Sequence, residues 1–108
     1  MTATRTPVAK LSEIRPGKMK IVAVDGIGIA LCNVEGQLYA IEDVCTHDDG
    51  PLGEGTLEGK EVECPRHGAR FDVRTGAVTR MPAVAPVRTF PVKVEGDSVF
   101  VEVRNHGS

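Results

Sequence analysis

Two cysteine–histidine pairs constrain this chain more than any other feature: Cys45-Thr46-His47 and Cys64-Pro65-Arg66-His67, with 16 residues (48–63) between them. The first opens the glycine-rich stretch CTHDDGPLGEG (Cys45–Gly55), and the second opens CPRHGARFD (Cys64–Asp72). Three cysteines make a poor disulfide framework, because one is left over. In a reducing compartment the remaining uses of cysteine are packing, redox chemistry or metal binding. A fold that uses all four residues together has to bring two separate loops to one place.

The segments around the loops read as short strands with turn punctuation. KMKIVAVD (Lys18–Asp25) is rich in Val and Ile and ends before Gly26. IGIALCNV (Ile27–Val34) follows, Glu35-Gly36 marks a turn, and QLYAIEDV (Gln37–Val44) runs into Cys45. Later, VRTFPVKV and SVFVEV flank Glu95-Gly96-Asp97, a hairpin signal. No helix-length periodicity occurs, beyond a possible short turn near Leu11–Ile14. With 108 residues, 12 Gly and 7 Pro, the expectation is one all-β domain spanning 1–108, a sandwich or small barrel without repeats. A β base of about 1–44 and 87–108 would carry a turn-rich, irregular loop subdomain of about 45–86. Loops held by a rigid sheet are where chemistry tends to reside.

Two thiolates and two imidazoles leave two chemistries open. Zinc takes such a set tetrahedrally, but common zinc fingers group Cys with Cys and His with His. A Cys-x-His step is also tight for two ligands on one ion. In a two-iron cluster, both thiolates bind one iron and both imidazoles the other. Each loop then supplies one ligand to each metal.

The paired motif resembles that of the Rieske [2Fe–2S] family: Cys-x-His, an intervening segment, then Cys-x-x-His. CTHDDGPLGEG and CPRHGARFDVRTG resemble Rieske ferredoxin loops, and PVRTFPVKVEG resembles the strand that returns to the base. The resemblance covers roughly residues 37–103. It implies an antiparallel β-sandwich base with an inserted cluster-binding subdomain. It also implies one [2Fe–2S] cluster, with Cys45 and Cys64 on the inner iron and His47 and His67 on the outer one. In the high-potential members each loop carries an extra cysteine, and the two form a disulfide. The matching positions here are Gly50 and Arg66. A serine and a tyrosine that donate hydrogen bonds to cluster sulfurs in those members are matched here by Ala69 and Phe71. The resemblance is therefore to the low-potential type, near about −150 mV.

Such ferredoxins pass electrons from an NAD(P)H-dependent flavoprotein reductase to a terminal ring-hydroxylating oxygenase, so an electron carrier rather than an enzyme is implied. The alternatives are a Rieske-type small subunit of a nitrite reductase and a zinc-stabilised interaction domain. A monomer is expected, because a shuttle must present one face to two partners. A net charge of −2 gives no pull toward nucleic acid or anionic membrane. No apolar run is long enough to span a bilayer, and MTATRTPVAK lacks the apolar centre of a signal peptide, so a cytoplasmic setting is expected.

The other notable residues have plainer roles. Cys32, mid-strand and far from any histidine, reads as a buried small hydrophobe, and His106 as a solvated tail residue. Gly50, Gly53, Gly55 and Gly68 read as turn formers, with Gly68 also letting backbone approach the cluster; Pro51 and Pro65 stiffen the loops. Seven acids (Glu42, Asp43, Asp48, Asp49, Glu54, Glu58, Glu61) precede a basic flank of Arg66, Arg70, Arg74 and Arg80. These two flanks are expected to orient a partner, or else to be ordinary solvated loops.

Overall fold

A computed structural model of the chain describes residues 7–45, 50–65, 68–81, 83 and 85–103. It begins with β1 (Ala9–Lys10) and a 3-10 turn (Leu11–Glu13), which precede β2 (Met19–Val24), β3 (Ile27–Val34) and β4 (Gln37–Glu42). A second 3-10 turn (Leu52–Glu54) leads into β5 (Thr56–Glu58), β6 (Glu61–Glu63), β7 (Arg70–Asp72) and β8 (Val78–Arg80). The chain closes with β9 (Thr89–Phe90), β10 (Val92–Glu95) and β11 (Ser98–Val101). The fold is all-β. Among the described residues there are three antiparallel sheets, ordered β2-β3-β4-β9, β1-β11-β10 and β5-β6-β7-β8.

Tight turns set the register. Asp25-Gly26 and Glu35-Gly36 join β2 to β3 and β3 to β4, pairing Val24 with Ile27 and Val34 with Gln37. Both residues of each turn have positive φ (52° and 80°; 53° and 94°). That geometry matches the twist of the flanking strands and places glycine second.

β3 is covered on both faces. Ile29 to Asn33 are all buried, and their alternation divides them between two cores. Ala30 and Cys32 join Ile41 in a core with Cys45, Leu52, Val62, Cys64 and Phe71. Ile29 and Leu31 join Leu38 and Ala40 in another with Ile14, Phe90, Val99 and Val101. The β2-β3-β4-β9 sheet is thus a shared wall, with β1-β11-β10 on one face and the β5–β8 sheet on the other. Asn33 is the buried polar exception on β3. It donates to the Ile14 carbonyl at 2.7 Å and accepts from the Gly36 N–H at 2.7 Å, so its polar groups are satisfied.

Two features depart from the sequence-based expectation. Residues 45–86 are not merely irregular, since they contain all four strands of the β5–β8 sheet. Each of these strands has three residues, and β5, β6 and β7 each turn one bulky apolar residue inward: Leu57, Val62 and Phe71. One alternation is too short to stand out from a loop. VRTFPVKV is also two strands, split at Pro91, with β9 in one sheet and β10 in another. Proline lacks the N–H that a continuous ladder needs, so the chain changes sheets there.

Candidate metal centre

The two loops are built to one plan. Leaving β4, the Cys45 N–H donates to the Gly50 carbonyl at 2.7 Å, closing the first loop five residues on. Leaving β6, the Cys64 N–H donates to the Ala69 carbonyl at 2.7 Å, again five residues on. The Gly68 N–H returns to the Cys64 carbonyl at 3.1 Å, with Gly68 at φ +78°. Outside each neck lies a side-chain clasp. Asp43 Oδ1 accepts the Gly53 N–H at 2.6 Å, and the Glu63 carboxylate accepts from Arg70 at 2.8 Å. A backbone bond at each neck fixes where the cysteine enters its loop.

Cys45 (0% exposed) and Cys64 (1%) are brought into a single core, walled by Leu52, Ala69 and Phe71, and neither is in a disulfide. His47 and His67 lie outside the described residues, as do Thr46, Asp48, Asp49, Arg66 and His106. Cys32 is fully buried in the same core, with its Sγ 3.8 Å from the Ala30 carbonyl. Burial, aided by the charge of Asp43, pushes its thiol up to about 12. It is a packing residue, as expected, with no thiolate to offer near neutral pH.

The expected basic flank does not stand apart from the acids. Arg70 is held by Glu58 at 2.7 Å, Glu63 at 2.8 Å and Glu61 at 3.2 Å. Arg74 forks onto Asp72, with Nη2 to Oδ2 at 3.0 Å and Nε to Oδ1 at 3.1 Å. That fork holds the Asp72 carboxyl below its usual range, and the Glu58, Glu63 and Glu61 carboxylates raise Arg70 above its own. The register places Glu63 opposite Arg70 and Glu61 opposite Asp72, so residues assigned to separate flanks share one sheet face. Nothing in the sequence marks Asp43, Glu63 and Arg70 as supports, because their contacts depend on loop closure and on this register.

The donor set fits an iron–sulfur cluster. Two unbridged cysteines share a dry core, each at the neck of a loop that continues toward a histidine. Ala69 and Phe71, both fully buried, carry no hydroxyl to donate to a sulfur. The model of the Rieske [2Fe–2S] domain matches residues 4–91 of the chain. The chain belongs to this family.

Its cofactor is one Rieske-type [2Fe–2S] cluster. This Rieske protein is 41% identical to the ferredoxin component of the naphthalene 1,2-dioxygenase system of Pseudomonas aeruginosa, across 95% of this chain and 99% of that one. The structure of the ferredoxin of carbazole 1,9a-dioxygenase from Nocardioides aromaticivorans superposes with a TM-score of 0.89 at 37% identity, covering 96% of this chain and 100% of that one. A ferredoxin chain in a complex of reduced oxygenase and oxidized ferredoxin of carbazole 1,9a-dioxygenase gives 0.85 at 39% identity, covering 89% and 90%. No helix among the described residues is long and apolar enough to cross a membrane.

Proposed function

We propose that this Rieske protein is the ferredoxin component of a ring-hydroxylating dioxygenase system. It takes single electrons from an NAD(P)H-dependent flavoprotein reductase and delivers them to a terminal oxygenase. It is an electron carrier, not an enzyme. The observation that carries the reading is the pair of buried cysteines at the necks of two matching loops. Cys45 and Cys64 hold one iron, and His47 and His67 the other. Bound there, the cluster supplies a one-electron couple.

The chain's own residues set the terms of that couple. Burial keeps water from the cysteine side, and the backbone bonds at Gly50 and Ala69 hold the two cysteines in place. Neutral imidazoles add no charge, so the potential lies above that of plant-type ferredoxins. Ala69 and Phe71 offer no hydroxyl, and Gly50 cannot form a disulfide. The potential therefore falls near the low end of the Rieske range, about −150 mV. The related carbazole ferredoxin is found in complex with its oxygenase, which supports an oxygenase as the acceptor. The relatives are dioxygenase ferredoxins, which favours neither a nitrite reductase subunit nor a zinc domain. A monomer working in the cytoplasm, where reduced nicotinamide is made, fits this role.

The test is reconstitution with a flavoprotein reductase and a ring-hydroxylating oxygenase. Aromatic diol should form from NADH only when the protein is present, and Cys64→Ser should abolish the reaction. Equal turnover with the protein omitted would rule the role out.

A further inference from the structure

Arg70 occupies a defined place relative to the second loop. It directly follows Ala69, whose carbonyl closes the loop, while Glu63 directly precedes Cys64, whose N–H closes it. The two residues face each other across β6 and β7, and their side chains meet at 2.8 Å. The same guanidinium also takes Glu58 from β5 at 2.7 Å and Glu61 from β6 at 3.2 Å. Its side chain is 22% exposed, less than any of its three partners. On the far side, β8 sets Arg80 opposite it, a like charge that offers no pairing. One cation therefore gathers three carboxylates from two strands onto the strand that leaves the loop.

Exposed ion pairs usually contribute little to stability. This one differs in where it acts. Without Arg70, three carboxylates would repel one another beside the backbone that leads into Cys64. We propose that Arg70 is a positioning residue for the metal centre: it fixes the two ends of loop 64–69 through Glu63, while Glu58 and Glu61 fix its guanidinium. The inference rests on the reading that Cys64 and His67 are ligands.

The experiment compares the loaded wild type with Arg70→Met, Arg70→Lys and Arg74→Met. A triple variant, R70M/E58Q/E61Q, removes the like-charge repulsion and keeps the test open should Arg70→Met fail to fold. The readouts are the EPR spectrum of the reduced protein and the rate of iron release to a chelator. Loss of a group that orients a ligand weakens metal binding about 10–100-fold, and iron release from Arg70→Met should accelerate within that range. Its EPR lines should shift or broaden, and Arg70→Lys should fall between. Arg74→Met, whose partner Asp72 lies beyond the loop, should release iron within about twofold of wild type, below the range expected for an orienting group. The triple variant should regain much of the melting temperature yet keep the altered spectrum and fast release. A folded triple variant with the wild-type spectrum and release rate would overturn the proposal, as would Arg74→Met matching Arg70→Met. Cys64→Ser separates the underlying reading: full cluster content in that variant would refute the ligand assignment itself.

Discussion

Gly55→Ala tests how closely the two loops of the metal centre lean on each other. Gly55 has φ −90° and ψ −154°, an extended conformation, so alanine meets no left-handed strain there. A Cβ on Gly55 would instead collide with the Glu63 carbonyl oxygen, and would lie 3.1 Å from Pro65 Cδ. Those two contacts sit on either side of Cys64. Relief requires the Thr56–Glu63 pair to open, at the start of the β5–β6 ladder. Overpacking of this kind costs about 1–3 kcal/mol, and a lost strand hydrogen bond adds about 0.5–1.5 kcal/mol. The sum is roughly 1.5–4.5 kcal/mol, or about 7–20 °C in melting temperature for a domain of this size. Gly59→Ala is the control. Its φ is +59° in the turn that pairs Glu58 with Glu61, but nothing lies within 4 Å of its added Cβ. It should cost only the left-handed strain, about 1–2 kcal/mol, and perturb only the turn. Melting of the loaded proteins, followed at matched scan rates by ultraviolet circular dichroism and by visible absorbance, distinguishes the two. In Gly55→Ala the visible band should bleach well before the backbone unfolds, whereas in Gly59→Ala both signals should fall together. Coincident transitions in Gly55→Ala, at a temperature no lower than in Gly59→Ala, would refute the reasoning.

Two further outcomes can be measured. Ala69→Ser with Phe71→Tyr should raise the reduction potential, because reduction makes the cluster sulfurs better acceptors. A hydrogen bond to a charged group contributes about 1.5–3 kcal/mol, which caps the gain near about 60–130 mV per hydroxyl for one electron. Phe71 is fully buried in the core that also holds Cys45 and Cys64, so the tyrosine oxygen has less freedom than the serine. Protein-film voltammetry showing an intact couple with no rise would mean that another factor sets the potential. Asp72 contributes stability that is present above the unfolded carboxyl value of 3.8 and is lost as pH falls through its lower folded value, because Arg74 favours the charged form. The melting-temperature deficit of Asp72→Asn should therefore be constant around neutrality and narrow in acid below that value. A deficit that widens in acid would reverse the sign.

The strands that could be read from the sequence are those with several alternations between strong turns. Ile27–Val34 lies between Asp25-Gly26 and Glu35-Gly36, and β3 has those same ends. The strands that escaped notice are as short as Glu61-Val62-Glu63, where one inward valine carries the whole signal. Pro91 stands in plain view, yet only the sheet order shows that the chain changes layers there. The cysteines were legible because two thiols matched with two imidazoles at short spacing have few other uses. Their supports were not. Asp43 was one acid among seven, and its bond to Gly53 exists only once the intervening loop has closed. Arg70 and Glu58 are 12 residues apart in the chain and meet only because β5, β6 and β7 lie side by side. Charge counts along the chain separated acids from arginines that the register joins.

In the proposed centre two cysteines and two histidines share one two-iron cluster. Its most direct test is electron–nuclear double resonance of the reduced protein, grown with nitrogen-15 histidine. Two inequivalent nitrogens, strongly coupled to the unpaired electron, should appear; single replacement of His47 or His67 should remove one of them or cost the cluster, while His106→Ala leaves both unchanged. An EPR-active cluster without nitrogen coupling, or a colourless zinc protein with no EPR signal, would contradict the account.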